Sequence, residues 1–281
     1  MFQRSRLPFS LLASALLAAP LSAGDRLLVA GYDGVVMEAD TDDGVFDTFA
    51  PSCWCPIQAM AADRRRLYLA GDYGHVQVHD LETHALETVF WPELGPIHEI
   101  AAVAGTVFVG TSDGVVARFR HDGTPLGARQ VPAAVLALLV HRRFLYVGTA
   151  DGAIYRAPIA GGDGADGEFE LFASSGLSEI RDMSAVGGEL VIADASGAVA
   201  RLSLQTGAIT GGFGVDPTRS MTSLRSTLLF YYDEDGSGLI TQRNAQTGEV
   251  LPGGFQATMW VEVMLVIPES QRLRPGLAAR R

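Results

Sequence analysis

An all-β propeller of six four-stranded blades is the architecture this 281-residue sequence predicts. A phrase repeated six times at a period near forty carries that expectation. So do hairpin turns built on glycine, and chain ends that complement one another.

The first copy of the phrase reads Leu27-Leu28-Val29-Ala30-Gly31-Tyr32-Asp33-Gly34-Val35-Val36. Later copies start at Leu67, Val107, Leu145 and Leu190, and a looser sixth starts at Leu228. Each is an apolar strand, a tight turn and a second strand. The turn glycine takes a positive φ that a Cβ disfavours. Gly34, Gly74, Gly114, Gly152, Gly197 and Gly238 are spaced by 40, 40, 38, 45 and 41 residues. That period suits one propeller blade per repeat.

Two further strands complete each unit. An apolar strand precedes the phrase at Ile57–Ala62, Ile97–Val103, Val135–Val140, Ile180–Val186 and Met221–Leu224. A shorter one follows, as at Leu86–Phe90 and Phe169–Phe172. Gln205-Thr206-Gly207 and Gln246-Thr247-Gly248 supply turns between third and fourth strands. The repeat region begins directly in a second strand at Arg26-Leu27-Leu28 and ends with a surplus inner strand over Trp260–Ile267. Joining them closes the ring and removes open sheet edges.

Three segments are expected: a signal peptide over residues 1–23, the propeller over 24–268, and a flexible basic tail over 269–281. Arg4 and Arg6 precede an apolar run from Leu7 to Leu21, and Ser22-Ala23-Gly24 offers small residues for cleavage. The run is short for a membrane span, and the mature chain carries no second one. The protein is therefore expected to be periplasmic or secreted, and monomeric. Net charge is -11, and all 21 basic residues are arginine. An acidic surface repels phosphate backbones, so nucleic acid is not the expected partner.

On these repeats the chain resembles the broad family of WD-repeat and quinoprotein-like propellers, over roughly residues 25 to 268. The resemblance implies architecture. Members of that family bind, scaffold or catalyse, so it does not select a function. The WD dipeptide and the tryptophan-docking pattern are absent.

Loops between blades, and turns between second and third strands, share one face, where function is expected. Cys53-Trp54-Cys55 lies there and holds the only two cysteines. Three readings stand: a local disulfide, a soft-metal site, or a redox pair. As a copper or zinc site it needs further ligands, with His98 the first candidate and His75 another. A calcium candidate is the sixth-blade turn, with oxygens at Asp233, Asp235 and Ser237 and a glycine at Gly236. The position of the closing carboxylate holds Asn244, which favours a plain acidic turn. The Gly161–Gly167 run reads as an inserted loop. Glu99, Asp182 and Glu262, with Arg181 and Arg219, are expected to line the central channel.

No serine elbow, zinc-protease helix or phosphate-cradling loop is present. The expected function is therefore a non-enzymatic scaffold that binds a protein partner or small ligand on one face. Trp54, Trp91 and Trp260 are the contact candidates. An alternative is an accessory factor for a periplasmic metal or redox enzyme, acting through Cys53 and Cys55. A hydrolase or lyase using the channel carboxylates is a third class.

Overall fold

The computed structural model describes residues 24–41, 44–50, 55–159, 167–232, 239–257, 259 and 261–268. The expected signal peptide and basic tail lie outside the described residues. So do Cys53, Trp54, Trp260, the calcium candidates Asp233, Asp235 and Ser237, and residues 161–166 of the glycine-rich run.

The described residues form 24 strands and no helix, arranged as six four-stranded antiparallel sheets. No described helix is long and apolar enough to cross a membrane. Five blades follow chain order, with inner strands Ile57–Ala62, Ile97–Val103, Val135–His141, Ile180–Val186 and Thr218–Leu224. Blade one is composite: Val263–Ile267 pairs with Arg26–Ala30, which pairs with Val36–Asp40 and then Phe46–Ala50. The register sets Arg26 opposite Ile267 and Ala30 opposite Val263. The ring is therefore closed by one strand from the far end of the chain, as the complementary ends predict.

The core is distributed. Six apolar clusters each span one pair of adjacent blades. Leu28 and Ala30 face Ile57, Met60 and Leu69 of blade two. Leu27 and Val29, on the opposite side of the same strand, face Leu229, Tyr231 and Ile240 of blade six. Both sheet faces are buried, so a second strand is apolar at every position instead of alternating. Leu27, Leu28, Val29 and Ala30 are all fully buried. A fully buried Leu or Val side chain contributes roughly 1.5–3 kcal/mol.

Each inner strand of blades two to six carries a β-bulge at its upper end. The pairing register skips one residue in each: Gln58, His98, Leu136, Arg181 and Arg219. In blade one, Glu262 takes the same place, just before the Val263–Ala30 pair. A bulge leaves its extra residue outside the ladder and re-aims its side chain. It also explains why the sixth inner strand begins at Thr218, ahead of the expected Met221. Arg219 and Ser220, with polar side chains, occupy the bulge that precedes the apolar run.

The repeated glycine meets two demands at once. At Gly197, φ is 85°, and a Cβ would overlap the carbonyl oxygens of Val215 and Asp216 in the link to the next blade. Val215 N donates to Gly197 O at 2.8 Å, fastening that link to the turn. Gly188, in the same blade, has φ 87° but nothing within 4 Å of a built Cβ. Forcing alanine into this backbone costs about 1–3 kcal/mol. Gly188→Ala should lose about that much, and Gly197→Ala at least 1 kcal/mol more, because the loop must also move. Urea unfolding of the two variants measures the difference, and equal losses would show that the loop packs loosely on the turn.

Candidate functional site: the upper face and the channel mouth

The upper face carries the turns between second and third strands and the links between blades. At its centre the five bulge positions and Glu262 converge on the channel. Gln58, His98, Leu136, Arg181, Arg219 and Glu262 line a cavity of about 600 Å³, joined one step deeper by Glu99, Asp182, Ser220 and Val263. The channel residues expected from the sequence are thus gathered at one mouth. His98 belongs to this channel wall. Equivalent places in the six blades thus present a varied set of side chains.

Two carboxyls dominate the deeper ring. Asp182 Oδ1 accepts from Met183 N at 2.7 Å, and Oδ2 accepts from Met221 N at 2.8 Å and from Ser220 Oγ at 3.4 Å. Ser220 Oγ in turn accepts from Met264 N at 3.0 Å. This chain of bonds runs from blade five through blade six to the closing strand of blade one. Among the described residues, Glu99 Oε1 accepts only from its neighbour Ile100 N, at 2.9 Å. Burial pushes Asp182 up to about 7, held back by its three hydrogen bonds. Burial, and then the charge of Asp182, raise Glu99 well above the ordinary carboxylate range. Glu99 is therefore the neutral member of the pair at neutral pH. Arg219 and Glu262 pair at 3.0 Å, and Arg181 pairs with Glu179 at 3.0 Å, so the flanking arginines are already engaged.

A second cluster lies further out on the same face. Cys55 is disulfide-bonded, and Cys53 is the only other cysteine in the chain. His75 Nε2 stands 3.7 Å from Cys55 Sγ, and Gln77 Nε2 donates toward the same sulfur at 3.4 Å. Gln77 Nε2 also lies 2.9 Å from His75 Nε2. Burial lowers the His75 pKa, so the ring is neutral. With the amide donating into Nε2, its proton rests on Nδ1, a buried atom with no partner. Trp91 stacks obliquely on His75, with centroids 5.0 Å apart. Gln77 carries no motif signal in the sequence and is visible only once the strand is placed. Among the described residues, no group of three or more His, Cys, Asp or Glu is arranged to hold a metal ion.

The aromatics add a third feature. Tyr32, Tyr73 and Trp91 are 63%, 59% and 63% exposed. Tyr32 and Tyr73 occupy the upper-face turns of blades one and two, and Trp91 opens the link from blade two to blade three. They are the large aromatics most exposed among the described residues, and all three sit on one face of neighbouring blades. Trp91 was expected as a contact candidate. The two tyrosines belong to the turns of the repeated phrase, where their residue type gives no separate signal.

No family profile matches this chain, and no curated protein matches it. Solved structures do resemble it. The RRP9 WD40 repeats superpose with a TM-score of 0.64 at 12% identity, covering 84% of this chain and 78% of that one. The structure of U3-55K gives 0.63 at 12%, covering 84% and 80%. The computationally designed Ika8 protein gives 0.56 at 18%, covering 84% and 73%. At these identities the likeness is one of fold, to WD40-repeat propellers.

The carboxyl pair makes stability fall as pH rises. Both groups bind protons more tightly folded than unfolded, so folding takes up protons above their ordinary values of 3.8 and 4.5. Their destabilising effect is absent below about pH 4 and, for Asp182, grows until about pH 7. Glu99→Gln mimics the neutral form and keeps an oxygen for Ile100 N. It should leave stability at pH 4 unchanged and gain on the native protein as pH rises. The gain is about 1.4 kcal/mol for each pKa unit removed. Urea unfolding at pH 4 to 8 checks this, and parallel curves for the two proteins would refute it.

Proposed function

We propose that this chain is a non-enzymatic binding propeller that docks a protein partner on the upper face of blades one and two. The exposed Tyr32, Tyr73 and Trp91 carry the reading. Aromatic side chains bring large contact area at low entropic cost and dominate binding energies where they are buried by a partner. They stand on loops fastened to a closed ring, so little ordering is needed on binding. The likeness to WD40 propellers supports the scaffold reading at the level of fold. The disulfide at Cys55 supports an oxidising compartment outside the cytoplasm.

Affinity capture from extract of the native cell envelope tests the proposal. The chain should retain a partner that the variant Tyr32→Ala/Tyr73→Ala/Trp91→Ala binds at least about tenfold more weakly. The variant's thermal midpoint should barely move, because exposed side chains contribute little to folding. Full retention by a folded triple variant would overturn the assignment of this face.

A second reading rests on a separate observation. His75 and Gln77 both reach Cys55 Sγ. The Gln77 amide donating to the sulfur favours its thiolate form once the disulfide is reduced, and the neutral His75 ring offers its Nε2 lone pair as a ligand. Thiolates together with imidazole suit copper(I) or zinc. This supports an accessory role in metal or redox handling. After reduction without oxygen, two free thiols and about one bound copper or zinc are expected, lost on Cys55→Ser and weakened by His75→Ala. A disulfide that resists reduction in the folded chain, or thiols that bind no metal, would remove this reading.

A further inference from the structure

The lower face carries the turns between first and second strands and between third and fourth. There a cavity of about 1180 Å³ opens across blades two, three and four. Arg64, Arg65, Arg66, Arg120 and Arg142 line it, and among the described residues Asp63 is the only carboxylate on its wall. Its floor is apolar, from Ala62, Ala102, Val103, Val140 and Leu126. A chain of net charge -11 has thus concentrated arginine at one place.

The local charge is partly cancelled from within: Arg65 and Arg66 have carboxylate partners, Asp122 lies within the field of Arg120 and His121, and the excess rests on Arg64 and Arg142. Asp63 is consumed by the fold. Its Oδ1 accepts from Arg65 N and Arg66 N, both at 2.9 Å, and its Oδ2 from Tyr68 Oη and Gly105 N, both at 3.0 Å. Arg65 is held by Asp80 at 3.0 Å, and Arg66 by Glu87 at 2.6 Å. Those two carboxylates lie outside the cavity wall. Arg64 and Arg142 are exposed and make no ion pair with a described residue. They come from equivalent turns two blades apart, so they flank the opening.

We propose that this arginine-lined bowl docks an acidic, partly apolar segment of a partner protein. Guanidinium groups on the rim match carboxylates in bidentate geometry. The apolar floor adds burial that a bare anion cannot use. A long phosphate polymer meets the repulsion of the whole acidic protein, whereas a short segment feels chiefly the local field, because screening acts within about 10 Å. The site is on the opposite face from Tyr32, Tyr73 and Trp91, and its occupancy is independent of theirs.

The probe is a short fluorescein-labelled peptide alternating glutamate with leucine, followed by fluorescence anisotropy against the full chain. An all-glutamate peptide and inorganic pyrophosphate are the comparators. The alternating peptide should bind, weaken as salt rises, and lose at least about tenfold in affinity with Arg64→Glu/Arg142→Glu. That variant should keep the native thermal midpoint, since both side chains are exposed, and charge reversal leaves the apolar floor intact. The aromatic triple variant should bind the peptide as the native chain does, which separates this site from the upper face. No binding by the native chain, or undiminished binding by the folded double variant, overturns the proposal. Equal binding of the all-glutamate peptide or of pyrophosphate also overturns it, in favour of a simple anion site.

Discussion

Everything in this molecule depends on sealing six blade-to-blade interfaces, because it has no single core to fall back on. Each sheet is buried on both faces by its neighbours, and each apolar cluster belongs to two blades. An open ring would leave two apolar sheet faces and a sheet edge in water. Pairing Val263–Ile267 with Arg26–Ala30 removes that exposure at one stroke. It buries Leu27 and Val29 against blade six, and Leu28 and Ala30 against blade two. The bonds from Asp182 through Ser220 to Met264 run across the same closing region, so a polar latch lies beside the apolar seal. The contact that closes the ring joins the most distant parts of the chain, so its loop-closure entropy is the greatest of the six.

A closed ring of identical backbone units can vary function only through side chains and loops. The bulge shows how. Its backbone recurs in five blades, while its side chain is Gln58, His98, Leu136, Arg181 or Arg219 according to the blade, and Glu262 takes the same place in blade one. Burial then differentiates groups of the same type. Glu99 and Asp182 stand at equivalent depth in blades three and five. Asp182 gathers three hydrogen bonds, whereas Glu99 accepts one, so the proton favours Glu99. The lower-face turns use the same freedom differently. His84 takes φ 61° where blade five has Gly207 and blade six Gly248. It stays there because its ring stacks on Phe49 at 4.2 Å and its Nε2 reaches Glu38 at 3.2 Å, tying blade two to blade one.

The repeated phrase made the ring legible, since strand, turn glycine and second strand recur within the same short window. The inner strands Ile57–Ala62, Ile97–Val103 and Ile180–Val186 match their expected bounds residue for residue. The misplacements share a cause. The surplus strand was expected from Trp260 and pairs only from Val263, and the sixth inner strand was expected from Met221 and starts at Thr218. Apolar runs mark where a strand is buried, whereas pairing can begin at polar residues outside the run, as at Thr218, or stop short of its end, as at Val263. The channel lining was legible because a charged residue on an otherwise apolar inner strand has only the channel to face. The surface sites were less so. His75, Gln77 and Cys55 come from a turn, a strand and a link, and no spacing in the chain announces that they meet. The arginine bowl draws on three blades, each adding one or a few arginines that look like ordinary turn residues.

Charge therefore has to be considered locally. The net charge of -11 governs what approaches from a distance, and it disfavours polyanions. Within a screening length, each mouth presents its own field. The upper mouth joins Glu99, Asp182 and Glu262 to two arginines that already have carboxylate partners. The lower mouth has five arginines, of which Arg65 and Arg66 have carboxylate partners while Arg64 and Arg142 make no ion pair with a described residue. A rigid ring keeps these fields apart, because no described element crosses the channel to mix them. The same rigidity that six sealed interfaces require for stability thus lets an acidic protein hold a net positive mouth on one face apart from a carboxyl-rich one on the other.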